Sequence, residues 1–309
     1  MKKVLFAVLA LATMASCSNE YTVDANKEAI GFGETFVDNS TKVDYSQTGK
    51  LVDNFKVYGT VSNVLIYNGN TVSRPTEVTN NGAYMDTAWI CTAATQYWVP
   101  NATYNFAAIV DGGLSNVPEM PETIDFTVKG GAENKDLLYA TAEVEVKNDG
   151  SKEGDVSTNG LVAFTFSHLL SKVYFDITEN APAGYSFKVT SIKATGVQEK
   201  GTYDIADEEW APVAGTPIAL EFVGGPLQIL PVEQTLEITL TYDTYIGDDK
   251  ISTATKSGKI KGEGEDEGYT FKPNTAYKVA ATLTLENQIQ FTVNSVGGFD
   301  NVDNNWTLQ

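Results

Sequence analysis

Most of the chain consists of segments in which apolar and polar residues alternate with a period of two. In residues 162–168, Val162, Phe164, Phe166 and His168 share one parity, and small or polar residues occupy the other. Successive side chains of a β-strand point to opposite faces, so this pattern predicts a strand with one buried face. The same alternation recurs around residues 55–61, 104–110, 173–177, 236–243, 277–285 and 289–293. It predicts an all-β protein built as antiparallel sandwiches.

One polar stretch divides these segments into two groups of similar size. Residues 146–160 are Gly-rich and show no periodicity. A chain of 309 residues is long enough for two cores. We therefore predict an N-terminal β-sandwich domain at 28–155 and a C-terminal β-sandwich domain at 156–309. Short helical pieces are expected around residues 135–142, "DLLYATA".

The first 27 residues have the features of an export signal followed by a polar tether. Lys2 and Lys3 precede an apolar run from Val4 to Met14, which is too short to span a bilayer. Residues 1–16 therefore read as a signal peptide and 17–27 as the tether. The sequence "LATMASC" resembles a bacterial lipoprotein signal, which implies acylation of Cys17, although Met14 stands where that family usually has Leu. An ordinary secretory signal with a chance cysteine is the alternative.

Composition argues against catalysis and against nucleic-acid binding. The chain has 40 acidic and 21 basic residues, a net charge of −19, and so lacks a basic surface for phosphates. His168 is the only histidine and lies on an apolar strand face, where we expect a structural, hydrogen-bonded role. Cys91 is expected to be a buried, inert thiol. No zinc spacing, nucleophile elbow or nucleotide loop occurs, so we predict no enzyme activity, no metal and no cofactor.

Several aromatic motifs follow one another in a fixed order. "WICTAATQYWVPNATYNFAAIV" begins at Trp89 and is followed by "VAFTFSHLLSKVYFDI", "LPVEQTLEITLTY", "FKPNTAYKVAATLTLENQIQFTV" and a late "NNW". This order resembles the fimbrillin-type lipoproteins of Bacteroides-like bacteria, the subunits of type V pili, from about Ile30 to Trp306. The resemblance implies two tandem transthyretin-like Greek-key β-sandwich domains, export through the periplasm as a lipoprotein, and a location in a fimbria at the outer membrane. It also implies that a trypsin-like protease removes an N-terminal strand and that subunits then polymerise by strand exchange.

Two apolar segments fit the strands that such an exchange requires. Ile30, Phe32 and Phe36 share a parity in residues 28–37 and are the expected plug strand, although the same segment also reads as an ordinary first strand. The segment with Ile289, Phe291 and Val293 is the expected donor strand, or else it closes the second sandwich.

The processing site is predicted between Lys42 and Val43. The only arginine, Arg74, falls inside the first domain, and Lys50 is the second candidate. A subunit that is never cut, as expected of an anchor, is the alternative.

We therefore predict a structural, adhesive fimbrial subunit, with a stalk or tip position favoured over an anchor. Its expected partners are other fimbrial subunits, the outer membrane through the lipid, and host or bacterial surface ligands. The alternative is a non-polymerising surface lipoprotein that binds glycans through its tryptophans, of which Trp210 is the best candidate for exposure. A carboxylate-dependent hydrolase is the third reading.

Overall fold

A computed structural model describes residues 28–37, 54–73, 79–80, 83–84, 89–110, 120–222, 225–260, 268–285 and 291–298. The first half contains β1 (Phe32–Val37), β2 (Phe55–Val61), β3 (Val64–Ser73), β4 (Thr79–Asn80), β5 (Ala83–Tyr84), β6 (Ile90–Cys91), β7 (Ala102–Val110), β8 (Thr123–Thr127), a 3₁₀ turn (Gly131–Glu133), β9 (Leu138–Val146), β10 (Lys152–Gly154) and β11 (Val162–His168). The second half contains β12 (Ser171–Asn180), β13 (Tyr185–Val197), β14 (Lys200–Asp204), β15 (Glu209–Pro212), β16 (Ile218–Glu221), β17 (Leu227–Ile229), β18 (Glu233–Gln234), β19 (Leu236–Ile246), β20 (Asp249–Ile260), β21 (Tyr269–Thr270), β22 (Thr275–Thr284) and β23 (Phe291–Gly298). The prediction of an all-β protein is confirmed.

The strands of the first half form one sheet that closes on itself. Its order is β1-β11-β9-β7-β2-β3-β6, with β10 paired to β9. All pairs are antiparallel except β1 with β11. A backbone bridge between Phe32 of β1 and Trp89, next to β6, joins the two ends of the sheet. β1 therefore has a hydrogen-bonded neighbour on each side, β11 on one and the Trp89 segment on the other, and is not an open edge strand at Phe32.

The interior of this closed sheet is rich in aromatic side chains. The buried residues of this core include Phe32, Phe55, Tyr67, Trp98, Tyr104, Phe106, Phe164 and Phe166. Apart from Trp98, which lies outside the strands, they come from strands, whose geometry sends every second side chain inward.

The second half is a two-layer sandwich. One sheet has the order β17-β12-β22-β23 and the other β16-β13-β19-β20. Their inner faces share one core, and Phe175 of the first sheet meets Phe222, which follows β16, at a ring distance of 5.1 Å. β12 and β22 pair in parallel. The transthyretin-like topology of the two domains stays a prediction.

Strands that precede residue 155 pair with strands that follow it. β8 pairs with β14 in a small sheet with β15, and β11 pairs with β9 and β1. Tyr58, Ala107 and Ile109 of the closed sheet are buried in the core of the second half. The division into domains at 155 and 156 stays a prediction.

One local expectation is wrong. Residues 138–146 form β9 rather than a helix, because their alternating buried and exposed side chains fit a strand between β7 and β11. The polar stretch 146–160 contains β10, which pairs with β9 through its backbone. Gly154 in this strand has φ 101°, and a Cβ there would lie 2.2 Å from the Glu143 carbonyl oxygen, so backbone contact rather than apolar patterning forms this hairpin.

Candidate functional site

The closing strand, residues 28–37, is hydrogen-bonded on both sides. On one side, the Ile30 N–H donates to the Gln96 carbonyl at 2.8 Å, and the Trp98 N–H donates to the Glu28 carbonyl at 3.0 Å. The Phe32 carbonyl accepts from the Trp89 N–H at 2.8 Å. On the other side, the Val162 N–H donates to the Gly31 carbonyl at 2.8 Å, and Phe32 is in register with Val162. The closing strand thus completes two sets of backbone hydrogen bonds, one with residues 89–98 and one with β11.

The side chain of Phe32 lies at the centre of the aromatic core. It is 1% exposed, and its ring centroid lies 5.4 Å from that of Tyr67, 6.0 Å from those of Phe106 and Phe164, and 6.4 Å from that of Phe55. These four rings come from four strands. Burial of a Phe side chain contributes about 1.5–3 kcal/mol, and each aromatic pair adds about 0.5–1.5 kcal/mol. Ile30 is 8% exposed and joins the same core.

The third predicted plug residue follows a shift in register. Gly33 is opposite Ala163, whereas Phe36 is opposite Thr165 and Val37 is opposite Phe166. β1 therefore contains one extra residue between Gly33 and Phe36, and the simple alternation from Ile30 does not extend to Phe36. The role of Phe36 as a plug residue stays a prediction.

Charged side chains surround the start of the closing strand. Glu28 forms an ion pair with Lys152, whose Nζ also lies 5.6 Å above the Trp98 ring. Lys147 contacts Glu145 at 2.6 Å and Glu153 at 3.2 Å, and hydrogen bonds to these two carboxylates raise the pKa of Lys147. The carboxylates of all three pairs are more than half exposed and are screened by solvent, so the apolar and backbone contacts dominate the binding of the closing strand.

The predicted donor segment is described in part. In β23, Phe291 is opposite Ala281 and Val293 is opposite Val279. Within the described ranges β23 pairs with β22 alone, at the end of its sheet. Ile289, Cys17, Lys42 and Val43 lie outside the described residues.

The remaining candidate residues are packed into the two cores. His168 is buried, and its Nδ1 is hydrogen-bonded to the Asp136 carboxylate. Cys91 is half-buried, and burial raises the pKa of its thiol. The Trp210 indole N–H donates to the Leu169 carbonyl at 2.8 Å, so this side chain is half-buried rather than exposed. Trp98 is buried against Tyr104 at a ring distance of 4.8 Å.

In the part of the chain that the structure covers, no three acidic, cysteine or histidine side chains come together as metal ligands would. None of the helices among these same residues has the length and apolarity needed to cross a membrane.

The closing strand lies in a groove with two walls, residues 89–98 on one side and β11 on the other. Sequence patterning did not identify residues 89–98 as one of these walls. They contribute only isolated bridges and short stretches, so they carry no period-two signal. The available signal is the pair Trp89 and Trp98, whose backbone N–H groups make two of the three hydrogen bonds between this segment and the closing strand.

Comparison with known proteins agrees with this architecture. The chain resembles a proposed cell adhesion protein from Bacteroides ovatus ATCC 8483, with a TM-score of 0.55 and 13% identity over 90% of this chain and 99% of that one. It also resembles one from Bacteroides uniformis ATCC 8492, with a TM-score of 0.51 and 16% identity over 87% of this chain and 97% of that one. The tip fimbrial protein Mfa3 from Porphyromonas gingivalis, with a C-terminal truncation, matches with a TM-score of 0.41 and 14% identity over 81% of this chain and 95% of that one.

At such identities the two Bacteroides structures show the fold alone. No curated protein sequence matches the chain. The sequence profile of the family described as fimbrillin-like matches residues 41–295. Since this match spans most of the chain, the protein belongs to the fimbrillin-like family of structural, adhesive subunits and is not an enzyme.

Proposed function

We propose that this fimbrial subunit is exported as a lipoprotein, loses its closing strand to a protease and then polymerises by donor-strand exchange. The observation that carries the proposal is the burial of Phe32 and Ile30 in a closed sheet that residues 28–37 complete. A stalk or tip position fits a chain that has both a removable first strand and a C-terminal strand at a sheet edge.

Loss of the closing strand would leave a groove that is costly to keep open. The N–H groups of Trp89, Trp98 and Val162 and the carbonyl of Gln96 would lose their partners. Each buried backbone group left unsatisfied costs about 1–3 kcal/mol. The rings around Phe32 would line an apolar cavity at the same place. A strand from another subunit satisfies both needs together.

The order of residues along the chain supports Lys42 as the cleavage site. Residues 38–54 join β1 to β2, and they contain Lys42 and Lys50. A cut after Lys42 would leave the closing strand attached by non-covalent contacts alone. It would also separate Cys17 from β2–β23, so processing would release the subunit from its lipid anchor.

The C-terminal segment carries side chains of the right type and spacing. Ile289, Gln290 and Phe291 repeat the Ile-x-Phe pattern of Ile30 and Phe32. In the same register, Thr292 would replace Gly33, where an added Cβ would lie 2.5 Å from Leu161 Cδ1. That atom is the end of a flexible side chain, but Leu161 Cβ would also lie at 3.3 Å, so Leu161 must both rotate and shift slightly to accept Thr292.

The expected partners are other fimbrial subunits, the outer membrane before processing, and ligands on host or bacterial surfaces. The similarity to proposed cell adhesion proteins supports the adhesive role. The glycan-binding alternative is less favoured, since Trp98 and Trp210 pack against the protein's own side chains and backbone.

Brief trypsin treatment of the full chain tests the proposal. We expect SDS-resistant ladders and a new N-terminus at Val43, with loss of both in a Lys42→Ala variant. Phe291→Asp should abolish the ladders because a charge cannot enter the groove, while Gln290→Asp is the matched control and should preserve them. Ladders that survive Phe291→Asp, or cleavage at Val43 with monomers only, would overturn strand exchange by this segment.

A further inference from the structure

Exposed apolar side chains are concentrated at two places on the molecule. Among the described residues, nine large apolar side chains are well exposed, and seven of these fall into two groups. The head patch consists of Val64, Leu65, Tyr97 and Val99, and the tail patch consists of Ile246, Ile251 and Leu285. Their exposed fractions run from 39% to 63%.

The head patch surrounds the start of the closing strand. Val64 and Leu65 follow the turn between β2 and β3, where the Ser62 N–H donates to the Thr103 carbonyl at 3.1 Å. The Val99 N–H donates to the hydroxyl of Tyr104, the next residue after Thr103, at 2.8 Å. Trp98, between Tyr97 and Val99, is bonded to Glu28. The patch therefore lies at the mouth of the groove.

The tail patch surrounds the point where the chain leaves for β23. Ile246 and Ile251 flank the turn between β19 and β20, and the Gly247 N–H in this turn donates to the Gly184 carbonyl at 3.1 Å. Gly184 lies in the turn between β12 and β13. Leu285 directly follows β22, whose last residue, Thr284, is in register with Asn180 at the end of β12.

The two patches lie at the far ends of two consecutive strands. β11 starts beside the closing strand, near the head patch, and ends at His168. Leu169 and Leu170 are buried in the second core, and β12 then runs from Ser171 to the tail patch. These strands have seven and ten residues, which corresponds to lengths of about 23 and 33 Å.

We propose that the tail patch of one copy packs on the head patch of the next copy in a head-to-tail contact. Soluble monomers rarely cluster exposed apolar side chains without an interaction partner. Two different patches at separate ends form a heterologous contact, which repeats as an open filament. The inference rests on the proposed function, because a donor strand that leaves at Leu285 and enters at Glu28 brings these two patches together. The contact fixes the orientation of the subunits around the exchanged strand.

Cysteine cross-linking tests this contact in the full chain with Cys17→Ser and Cys91→Ser, which leave no native thiol. Val99→Cys combined with Ile251→Cys should give covalent multimers with a short bismaleimide after trypsin treatment. The control combines Val99→Cys with Val213→Cys, an exposed position outside both patches, and should lose these multimers. Separately, Ile246→Ser with Ile251→Ser should slow polymerisation about tenfold, which corresponds to about 1.4 kcal/mol.

A labelled peptide of residues 286–298 separates the two proposals. If trypsin-treated chains take up the peptide but Val99 and Ile251 cross-link no better than the control, strand exchange stands and the head-to-tail contact is refuted. If the peptide is not taken up, cross-linking of the uncut chain at high concentration decides: multimers support the contact, and monomers overturn it. Binding of the uncut chain to phosphatidylcholine vesicles that Ile246→Ser removes would assign the tail patch to lipid and overturn the proposal.

Discussion

Replacement of Phe32 by Ala is the most direct perturbation of the closing strand. Phe-to-Ala changes in protein cores cost about 3–5 kcal/mol, more where the surroundings cannot collapse into the cavity. The four rings around Phe32 belong to β2, β3, β7 and β11, and hydrogen bonding fixes each of these strands in the sheet. We therefore expect a loss of about 4 kcal/mol in the free energy of unfolding.

The same change should expose the groove far more often in the uncut chain. At 1.4 kcal/mol per factor of ten, a loss of about 4 kcal/mol raises the population with a detached closing strand by almost a thousandfold. Hydrogen exchange at the amides of Trp89, Trp98 and Val162 measures this population, since all three donate to the closing strand. Guanidinium unfolding, followed by tryptophan fluorescence, gives the global value.

Glu28→Ala removes the carboxylate partner of Lys152, whose side chain is 11% exposed, and should cost about 1–3 kcal/mol, less than the Phe32 change. If Phe32→Ala costs no more than Glu28→Ala, or if the three amides exchange as in the parent chain, the closing strand does not stabilise the closed sheet.

Three further changes test other parts of the molecule. Cys17→Ala should move the protein from the membrane to the soluble fraction, and membrane partitioning that persists would contradict acylation at this residue. Trp210→Phe removes the indole donor from the Leu169 carbonyl and should lower the melting midpoint in calorimetry by the equivalent of about 1–2 kcal/mol; an unchanged midpoint would show that this bond contributes nothing. Burial raises the pKa of Tyr139 from 10.0 to about 12, so this tyrosine ionises first in the unfolded chain. The free energy of unfolding should therefore fall as pH rises through this window. Urea unfolding of Tyr139→Phe should show a shallower fall of this free energy with pH, and equal slopes in the two proteins would refute the shift.

The local strands could be predicted from the sequence, and their pairing could not. The alternation in residues 162–168 correctly identified β11 and its buried parity, because alternation along a strand is a local property. Nothing in that alternation states which strands lie beside β11. Its neighbours are β1 in parallel and β9 antiparallel, and these pairings depend on residues far away in the chain.

The candidate site divides in the same way. The sequence alone determined that Ile30 and Phe32 would face a core, that the protein would be all-β, and that it would resemble fimbrillins. Only the tertiary structure decided that Phe32 lies among four rings, that residues 89–98 form the second wall, and that the register shifts before Phe36. The physical reason is that side-chain parity is set by neighbouring residues, whereas closure of a sheet and its register are set by contacts between distant strands.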